Sequence, residues 1–323
     1  MASAQPRDRA TAQPLIVLTF ILLIAIVLAL SFGAVALDFN DETARMILFR
    51  LRLPRVLLAA AIGATLAVAG VTFQTLLRNP LADPFILGVS GGAACGAAVA
   101  TAFQWSRIPG LVPLVAFAGA LLATAAVFTL ARRRDHTDPT RLLLSGLVLN
   151  AFFSAIILIS FSLSPQSDLT AALKWMMGTL FGATWTNVAL VSSLLVIGMI
   201  VLAFVANDLR LLVFGEEDAK ARGVDVERVK LIGFTAASII TGAAVAVSGI
   251  IGFVGLLVPH LIRLIWRRDF RFLLPLCALG GATLVVAADL ASRTIVRTTE
   301  LPIGAFTAIL GVPFFLSLLR RSS

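Results

Sequence analysis

The chain carries little charge for its length. Asp, Glu, Lys and Arg make up 13% of its 323 residues, whereas hydrophobic residues make up 59%, and the mean hydropathy is +1.00. Soluble domains carry about 25% charged residues. A soluble domain could not bury so much apolar surface, so lipid must be the solvent for most of this chain.

The sequence also lacks the usual signatures of catalytic and metal sites. It contains no GxxxxGK[ST], no HExxH and no CxxC, and its two imidazoles are those of His136 and His260. Cys95 and Cys277 each lie inside an apolar segment, which favours small buried residues over a disulfide framework or a metal site. We therefore expect no catalytic constellation, no metal site and no cofactor in this chain.

Carboxylates are nearly missing from the apolar segments. Asp289 is the main exception, and Arg293 lies four residues later, so the two share a helix face and can pair. A transporter driven by a proton or sodium gradient is expected to carry carboxylates within the membrane. Their scarcity indicates that energy enters elsewhere, for which the charged segment 208–230 is the obvious place.

What the chain does have is a succession of apolar segments, and about 20 apolar residues cross a bilayer as one helix. The first segment is too long for a signal-peptide core and is interpreted as a retained helix. We predict an all-α integral membrane protein with one transmembrane domain, 1–323, and about ten helices. Their predicted bounds are 15–37, 56–77, 84–106, 108–131, 142–167, 175–207, 229–249, about 254–267, 272–288 and 301–319.

The net charge of +9 does not indicate nucleic-acid binding, because the basic residues lie between the apolar segments rather than on one face. An even number of helices places both termini on one side of the membrane. If that side is cytoplasmic, it holds 18 of the 26 Lys and Arg residues. The positive-inside rule therefore predicts that both termini are cytoplasmic.

The segment 208–230 has the density of charge that the rest of the chain lacks. Between Gly215 and Gly223, acidic residues precede basic ones over a length that fits a helix of about two turns, an order that suits the helix dipole. Such a helix at the membrane surface is a natural docking element for a cytoplasmic partner. A merely solvated loop explains the same composition equally well.

Arginines also flank two apolar segments on the predicted outer side, where the positive-inside rule disfavours them. Arg50, Arg52 and Arg55 precede the second segment, and Arg293 and Arg297 follow the ninth. Arginine pairs with carboxylates in a fixed fork, so one interpretation is a docking surface for an acidic partner. The alternative is anchoring at the membrane interface by snorkelling.

Six motifs follow one another along the chain. They are RLPR (52–55), GATLAVAG with a following Gln (63–74), RNPLADPFILGVSGGA (78–93), GEEDAKARGV (215–224), SGIIGFVGLLVPHLIR (248–263) and ELPIGAFTAILGVPFF (300–315). In these motifs the chain resembles the permease subunits of ATP-binding-cassette (ABC) importers for vitamin B12, iron–siderophores and haem, the type II importers. The resemblance covers all but about the first forty residues.

The resemblance implies a homodimer in a bacterial inner membrane, with the translocation path between the two copies. It also implies two cytoplasmic ATPase subunits, which bind ATP and Mg, and a periplasmic substrate-binding protein. The cargo would be a metal chelate, and ferric siderophore, cobalamin and haem all remain open. Transport would proceed by ATP-driven alternating access.

The resemblance assigns roles to particular residues. A cytoplasmic gate would include Asn79 and Leu81, with Ser145 a loose candidate, while Arg50, Arg297 and His260 receive no functional role. Docking of the binding protein would fall to Arg52, Arg55 and Arg293. Contact with the ATPase would fall to Gly215, Glu216, Glu217, Asp218, Ala219, Lys220, Ala221, Arg222 and Gly223.

Two rival functions remain on sequence grounds. A secondary transporter driven by an ion gradient would work without an ATPase and lose activity when Asp289 is neutralised. An integral-membrane enzyme would need a catalytic cluster, and the sequence shows none.

Overall fold

The computed structural model describes residues 6–33, 42–133, 136–266, 269–296 and 300–321, which are helical almost throughout. A π-helical turn, Leu48–Arg52, joins α2 to α3, and β1 and β2 form a small antiparallel hairpin. The elements are α1 Pro6–Ser31, α2 Glu42–Ile47, α3 Leu53–Leu76, α4 Val89–Ala102, α5 Leu111–Ala131, β1 Arg132–Arg133, β2 His136–Thr137, α6 Pro139–Leu163, α7 Gln166–Met176, α8 Trp185–Phe204, α9 Ala206–Leu212, α10 Glu216–Ala221, α11 Val226–Ser248, α12 Val254–Ile265, α13 Phe270–Thr294 and α14 Ile303–Arg321.

Seven helical segments in the described part of the chain are long and apolar enough to cross a membrane, so this is a multi-pass membrane protein. They comprise α1, the continuous segment Ala44–Leu76, α5, α6, α8, α11 and α13. Three shorter apolar helices, α4, α12 and α14, occupy the remaining predicted positions. The helical class is confirmed apart from the two-residue strands; ten crossings and cytoplasmic termini stay predictions.

Several predicted boundaries were wrong. The helix predicted at 175–207 begins only at Trp185, because Gly178 and Gly182 have positive φ angles of +79° and +76° and such residues end helices. The first helix begins at Pro6 rather than at residue 15, and its predicted positions 34–37 lie outside the described residues. Position 267, the end of the eighth predicted helix, also lies outside them.

The predicted loop 208–230 is largely helical. It holds most of α9, the whole of α10 and the first turn of α11. Asp225 caps α11 by accepting a hydrogen bond from the Arg228 main-chain N–H (3.2 Å), which is why that helix begins before residue 229.

Helix α3 is the centre of the bundle. In an 18-residue apolar window of the segment Ala44–Leu76, which contains α3, 89% of the residues are buried, whereas in α1 and in α6 only 17% are. Helices α1 and α6 therefore leave most of their apolar side chains facing outward. Gly63 of α3 and Gly281 of α13 pack so closely that a Cβ on either would overlap the carbonyl oxygen of the other. Small residues allow such backbone approach where lipid removes the hydrophobic drive between helices.

Candidate coupling and docking sites

Helix α10 is the short charged helix that the sequence predicts between two glycines, and this local prediction is confirmed. Gly215 precedes it with φ +133° and ψ +153°, and Gly223 follows it with φ +83°. Side chains other than glycine rarely adopt either conformation, so both ends of α10 depend on glycine.

The two faces of α10 differ. Ala219 is fully buried and Glu216 is largely buried, so these two residues anchor the helix to the protein. The residues exposed on the other face are Glu217, Asp218, Lys220, Ala221 and the following Arg222. The nine residues predicted to contact an ATPase therefore comprise two anchoring residues, five exposed residues and the two flanking glycines.

A buried lysine fixes the anchoring face. Lys230 of α11, whose side chain is 4% exposed, donates to the Thr137 carbonyl oxygen (2.7 Å), Glu216 Oε2 (2.8 Å) and Glu227 Oε1 (3.1 Å). Glu227 Oε2 accepts in turn from Thr137 N (3.0 Å) and Oγ1 (2.6 Å). These four residues, the Lys230 cluster, join α10, α11 and β2.

His136 lies at the edge of this cluster, with Nδ1 3.5 Å from Glu227 Oε1 and 3.7 Å from Glu216 Oε2. The three side chains approach within 4.8 Å of one another, a spacing that a metal ion could bridge. The Lys230 ammonium already supplies the positive charge between the two carboxylates, so this arrangement favours a structural cluster.

The hairpin leads directly into α6. Asp138 caps that helix by accepting from Thr140 N (2.8 Å), and this hydrogen bond is the main cause that lowers the pKa of the Asp138 carboxyl. Helix α10 is therefore connected to the first turn of α6 through the Lys230 cluster, Thr137 and Asp138. Ser145 lies half-buried a little further along the same helix.

The predicted gate residues lie in the corner between α3 and α4. Asn79 Oδ1 accepts from Leu81 N (2.9 Å), and the Leu81 side chain is exposed. Arg78, which has φ +48°, places NH2 3.8 Å from Glu216 Oε1. The corner and α10 are thus in contact, which the sequence did not reveal.

At the opposite end of the bundle, two of the predicted docking arginines share one carboxylate. Arg55 Nε donates to Asp289 Oδ1 (2.9 Å), and its other nitrogens donate to both oxygens of Glu300 (2.7 and 3.0 Å). Arg293 Nε lies 3.0 Å from Asp289 Oδ2, which confirms the predicted pair. Asp289 is fully buried, so the carboxylate that joins the two arginines is internal, whereas Glu300 lies at the exposed edge of this outer cluster.

Two of the docking candidates, Arg52 and Arg293, also cap α1. Arg52 NH1 donates to the carbonyl oxygens of Leu30 (2.9 Å) and Ser31 (3.3 Å), and Arg293 NH2 donates to that of Ala29 (3.1 Å). Arginine commonly satisfies the last carbonyls of a helix in this way. Sequence reasoning missed these partners, because only the spacing of four between positions 289 and 293 gives a local signal.

The three docking candidates therefore lie close together, and each already has partners within the chain. Arg52 and Arg293 are 6% and 8% exposed, and the Arg55 side chain is 12% exposed. Their role in docking stays a prediction. Arg50 is exposed, and Arg297 lies outside the described residues.

A cavity of about 800 Å³ lies where the segment before α4 approaches α7, α12 and α14. Its wall is mostly apolar, with Phe85, Met176, Leu256 and Ala308 among the lining residues. Asp83 supplies a carboxylate among the described residues of this wall. The Asp83 side chain is oriented by a hydrogen bond from Phe85 N to Oδ1 (2.8 Å).

Comparison with known proteins identifies the family of this chain, since residues 15–321 match the FecCD transport family. The chain belongs to this family. Over 280 residues it is 44% identical to the cobalamin import system permease protein BtuC of Halobacterium salinarum, covering 86% of this chain and 74% of that one. It is 41% identical to the hemin transport system permease protein HmuU of Yersinia pestis, with 96% of each chain covered.

A solved structure of a metal-chelate type ABC transporter in an inward-facing conformation superposes with a TM-score of 0.88 at 30% identity, covering 96% of this chain and 99% of that one. The resemblance seen in the sequence motifs is confirmed, and the chain is a permease of the type II ABC importer group. Its relatives share the fold and differ in the cargo that their names give.

Proposed function

We propose that this chain is the permease subunit of a bacterial inner-membrane importer that moves a metal chelate by ATP-driven alternating access. It works as a homodimer with two cytoplasmic ATPase subunits and a periplasmic binding protein. The observation that carries the proposal is α10, a charged helix anchored on one face and exposed on the other, in a chain of this family.

The exposed face of α10 receives the movement of the ATPase. Glu217, Asp218 and Lys220 offer charge to a groove in the partner, while Glu216 and Ala219 hold the helix to the permease. The Lys230 cluster transmits the movement to α11 and to the start of α6. Arg78, beside Glu216, transmits it to the corner that holds the gate residues.

The cavity of about 800 Å³ forms part of the translocation path. Its mostly apolar wall offers a bulky chelate few strong polar contacts, so the cargo passes without being retained. Discrimination between cargoes then belongs mainly to the binding protein. At the outer end, the binding protein engages Arg52, Arg55 and Arg293, and its glutamates compete with Glu300 for Arg55.

The test is uptake into proteoliposomes that contain this chain, its cognate ATPase and its binding protein, with radiolabelled cobalamin, ferric siderophore and haem offered in turn. We expect uptake of one cargo that requires ATP and all three components. A charge reversal on the exposed face, E217K, should abolish uptake while the permease still inserts and the ATPase still hydrolyses ATP. Uptake by this chain alone under a proton or sodium gradient would overturn the proposal in favour of a secondary transporter.

A further inference from the structure

A second cavity, of about 440 Å³, opens near the corner between α3 and α4. Among the described residues, its charged lining consists of three arginines, Arg78, Arg210 and Arg263, and one carboxylate, Asp269. The local balance is therefore positive by two charges. The mechanism proposed above uses Arg78 but gives the cavity itself no role, although the cavity lies between the gate corner and α9, which leads into α10.

The arginines are positioned by the protein. Arg263 NH1 donates to Gln74 Oε1, and Gln74, which is 3% exposed, donates through Nε2 to the Gly255 carbonyl oxygen (3.1 Å). Arg210 NH1 is held 3.5 Å from Asp269 Oδ2. A buried amide thus orients one guanidinium, and a carboxylate orients another.

One nitrogen of an arginine that lines this cavity lacks an acceptor, although the atom itself is shielded from solvent. Among the described residues, none accepts a hydrogen bond from the buried Nε of Arg210. A buried donor without a partner is costly, so the described residues do not fully satisfy the Arg210 guanidinium. The carboxylate of Asp269 is already engaged with another nitrogen of the same arginine.

Helix α13, which begins at the edge of the cavity, also favours an anion there. Helix α13 begins there, with Asp269 as N-cap and Phe270 and Leu273 in the lining. The Asp269 side chain makes no capping hydrogen bond. The positive end of this 25-residue helix therefore adds to the attraction that the arginines exert on an anion.

The rim of the cavity is apolar on one side, where Val213 and Phe214 are 54% and 67% exposed. We infer that this cavity is a binding site for a phosphate group, which Arg78, Arg210 and Arg263 recognise together. Basic pockets between transmembrane helices bind the headgroups of anionic lipids. The headgroup of a phospholipid, whose acyl chain follows the apolar rim, and a free phosphate are the two sources of this chemistry.

The test is native mass spectrometry of the full chain in detergent, titrated separately with phosphatidylglycerol and with inorganic phosphate. We expect one tightly retained phosphatidylglycerol, with its apparent affinity reduced about fivefold for each arginine lost in R78Q, R210Q and the double variant. R210K, which keeps the charge, should bind more tightly than R210Q. The matched control is R228Q, which removes an exposed arginine of α11 outside this cavity.

Arg78 and Arg210 have side chains 43% and 41% exposed, so both can be replaced without opening a packed core. Inorganic phosphate that binds with the same dependence on these arginines, while lipid does not, assigns the free ion as the ligand. Equal retention of phosphatidylglycerol by the double variant and R228Q, with no arginine-dependent phosphate binding, would overturn the inference. None of these results depends on transport, so the binding inference and the proposed function are tested separately.

Discussion

Lys230 shows how one side chain can hold a surface helix to a membrane bundle. Its ammonium is nearly removed from water and is shared by Glu216, Glu227 and the Thr137 carbonyl oxygen. Burying one lysine with two carboxylates is weak evidence for net stability, because desolvation offsets much of the attraction. The cluster does fix the position of α10 relative to α11, which is what a helix that transmits movement requires.

Replacing Lys230 should therefore damage both stability and coupling. In K230M two carboxylates lose their counter-charge, and we expect a loss of about 3 kcal/mol in the free energy of unfolding. Uptake should fall further than ATP hydrolysis, because α10 can still touch the ATPase without moving α11. Thermal unfolding in detergent and the proteoliposome assay measure the two effects.

The double variant K230M/E216Q removes one of the stranded carboxylates and should recover part of the stability. The control R228M, two residues earlier on α11, removes an exposed charge and should leave the unfolding temperature unchanged. If K230M unfolds like R228M and transports normally, the cluster is not the connection between α10 and α11.

Glu300 decides how available Arg55 is to a partner. It is the exposed member of the outer cluster, with a side chain 43% exposed, and it occupies two nitrogens of Arg55. Exposed ion pairs contribute about 0–1 kcal/mol. We expect E300Q to free those nitrogens while Asp289 still holds Arg55, and so to raise the affinity for the binding protein about threefold at low salt.

Surface plasmon resonance of the reconstituted permease against its binding protein measures this change. E42Q removes another exposed carboxylate, at the start of α2, and should not alter the affinity. An unchanged or weaker affinity in E300Q would return Arg55 to a purely structural role.

At the scale of elements, what the sequence predicted depends on how local the signal is. The limits of α10 were predictable because Gly215, Gly223 and the charges between them are adjacent in the chain. The start of α8 was not, because apolar residues continue through Gly178 and hide the turn. The partners of Lys230 and Arg52 were also missed, since Thr137 and Leu30 lie 93 and 22 residues away.

The crossing of α3 and α13 depends on Gly281, and the adjacent Gly280 provides a control position. A Cβ on Gly281 would overlap the Gly63 carbonyl oxygen, whereas a Cβ on Gly280 would meet only side-chain atoms, 3.0 Å from Val258 Cγ1 and 3.5 Å from Ile262 Cδ1. We expect G281A to cost about 3 kcal/mol, because two helix backbones must separate.

G280A should cost less than about 1 kcal/mol, because those side chains can shift and alanine favours the helix over glycine. Thermal unfolding of the two variants in one detergent gives the comparison. Equal unfolding temperatures would show that the glycine contact between α3 and α13 is not needed for packing.

At the scale of the whole molecule, the number of crossings depends on the three shorter helices. Helix α4 has 14 residues, about 21 Å at 1.5 Å per residue, whereas the hydrocarbon core is about 30 Å thick. The segment before α4 supplies the remaining depth: the Phe85 carbonyl oxygen accepts from Asn150 Nδ2 (2.8 Å), and residues 82–84 are buried. Irregular backbone at membrane depth is tolerated when protein surrounds it in this way.

If α4 and the segment before it cross together, Arg107 lies outside and Lys220 lies inside. With Cys95 and Cys277 replaced by Ala, R107C should react with an impermeant maleimide added to intact spheroplasts. K220C should react only after the membrane is opened. Three crossings, α5, α6 and α8, separate the two positions, and an odd number of crossings returns the chain to the cytoplasmic side. Protection of R107C in intact spheroplasts would mean that α4 does not cross. The ten-helix arrangement would then give way to one with fewer crossings and a different orientation for the helices that precede α5.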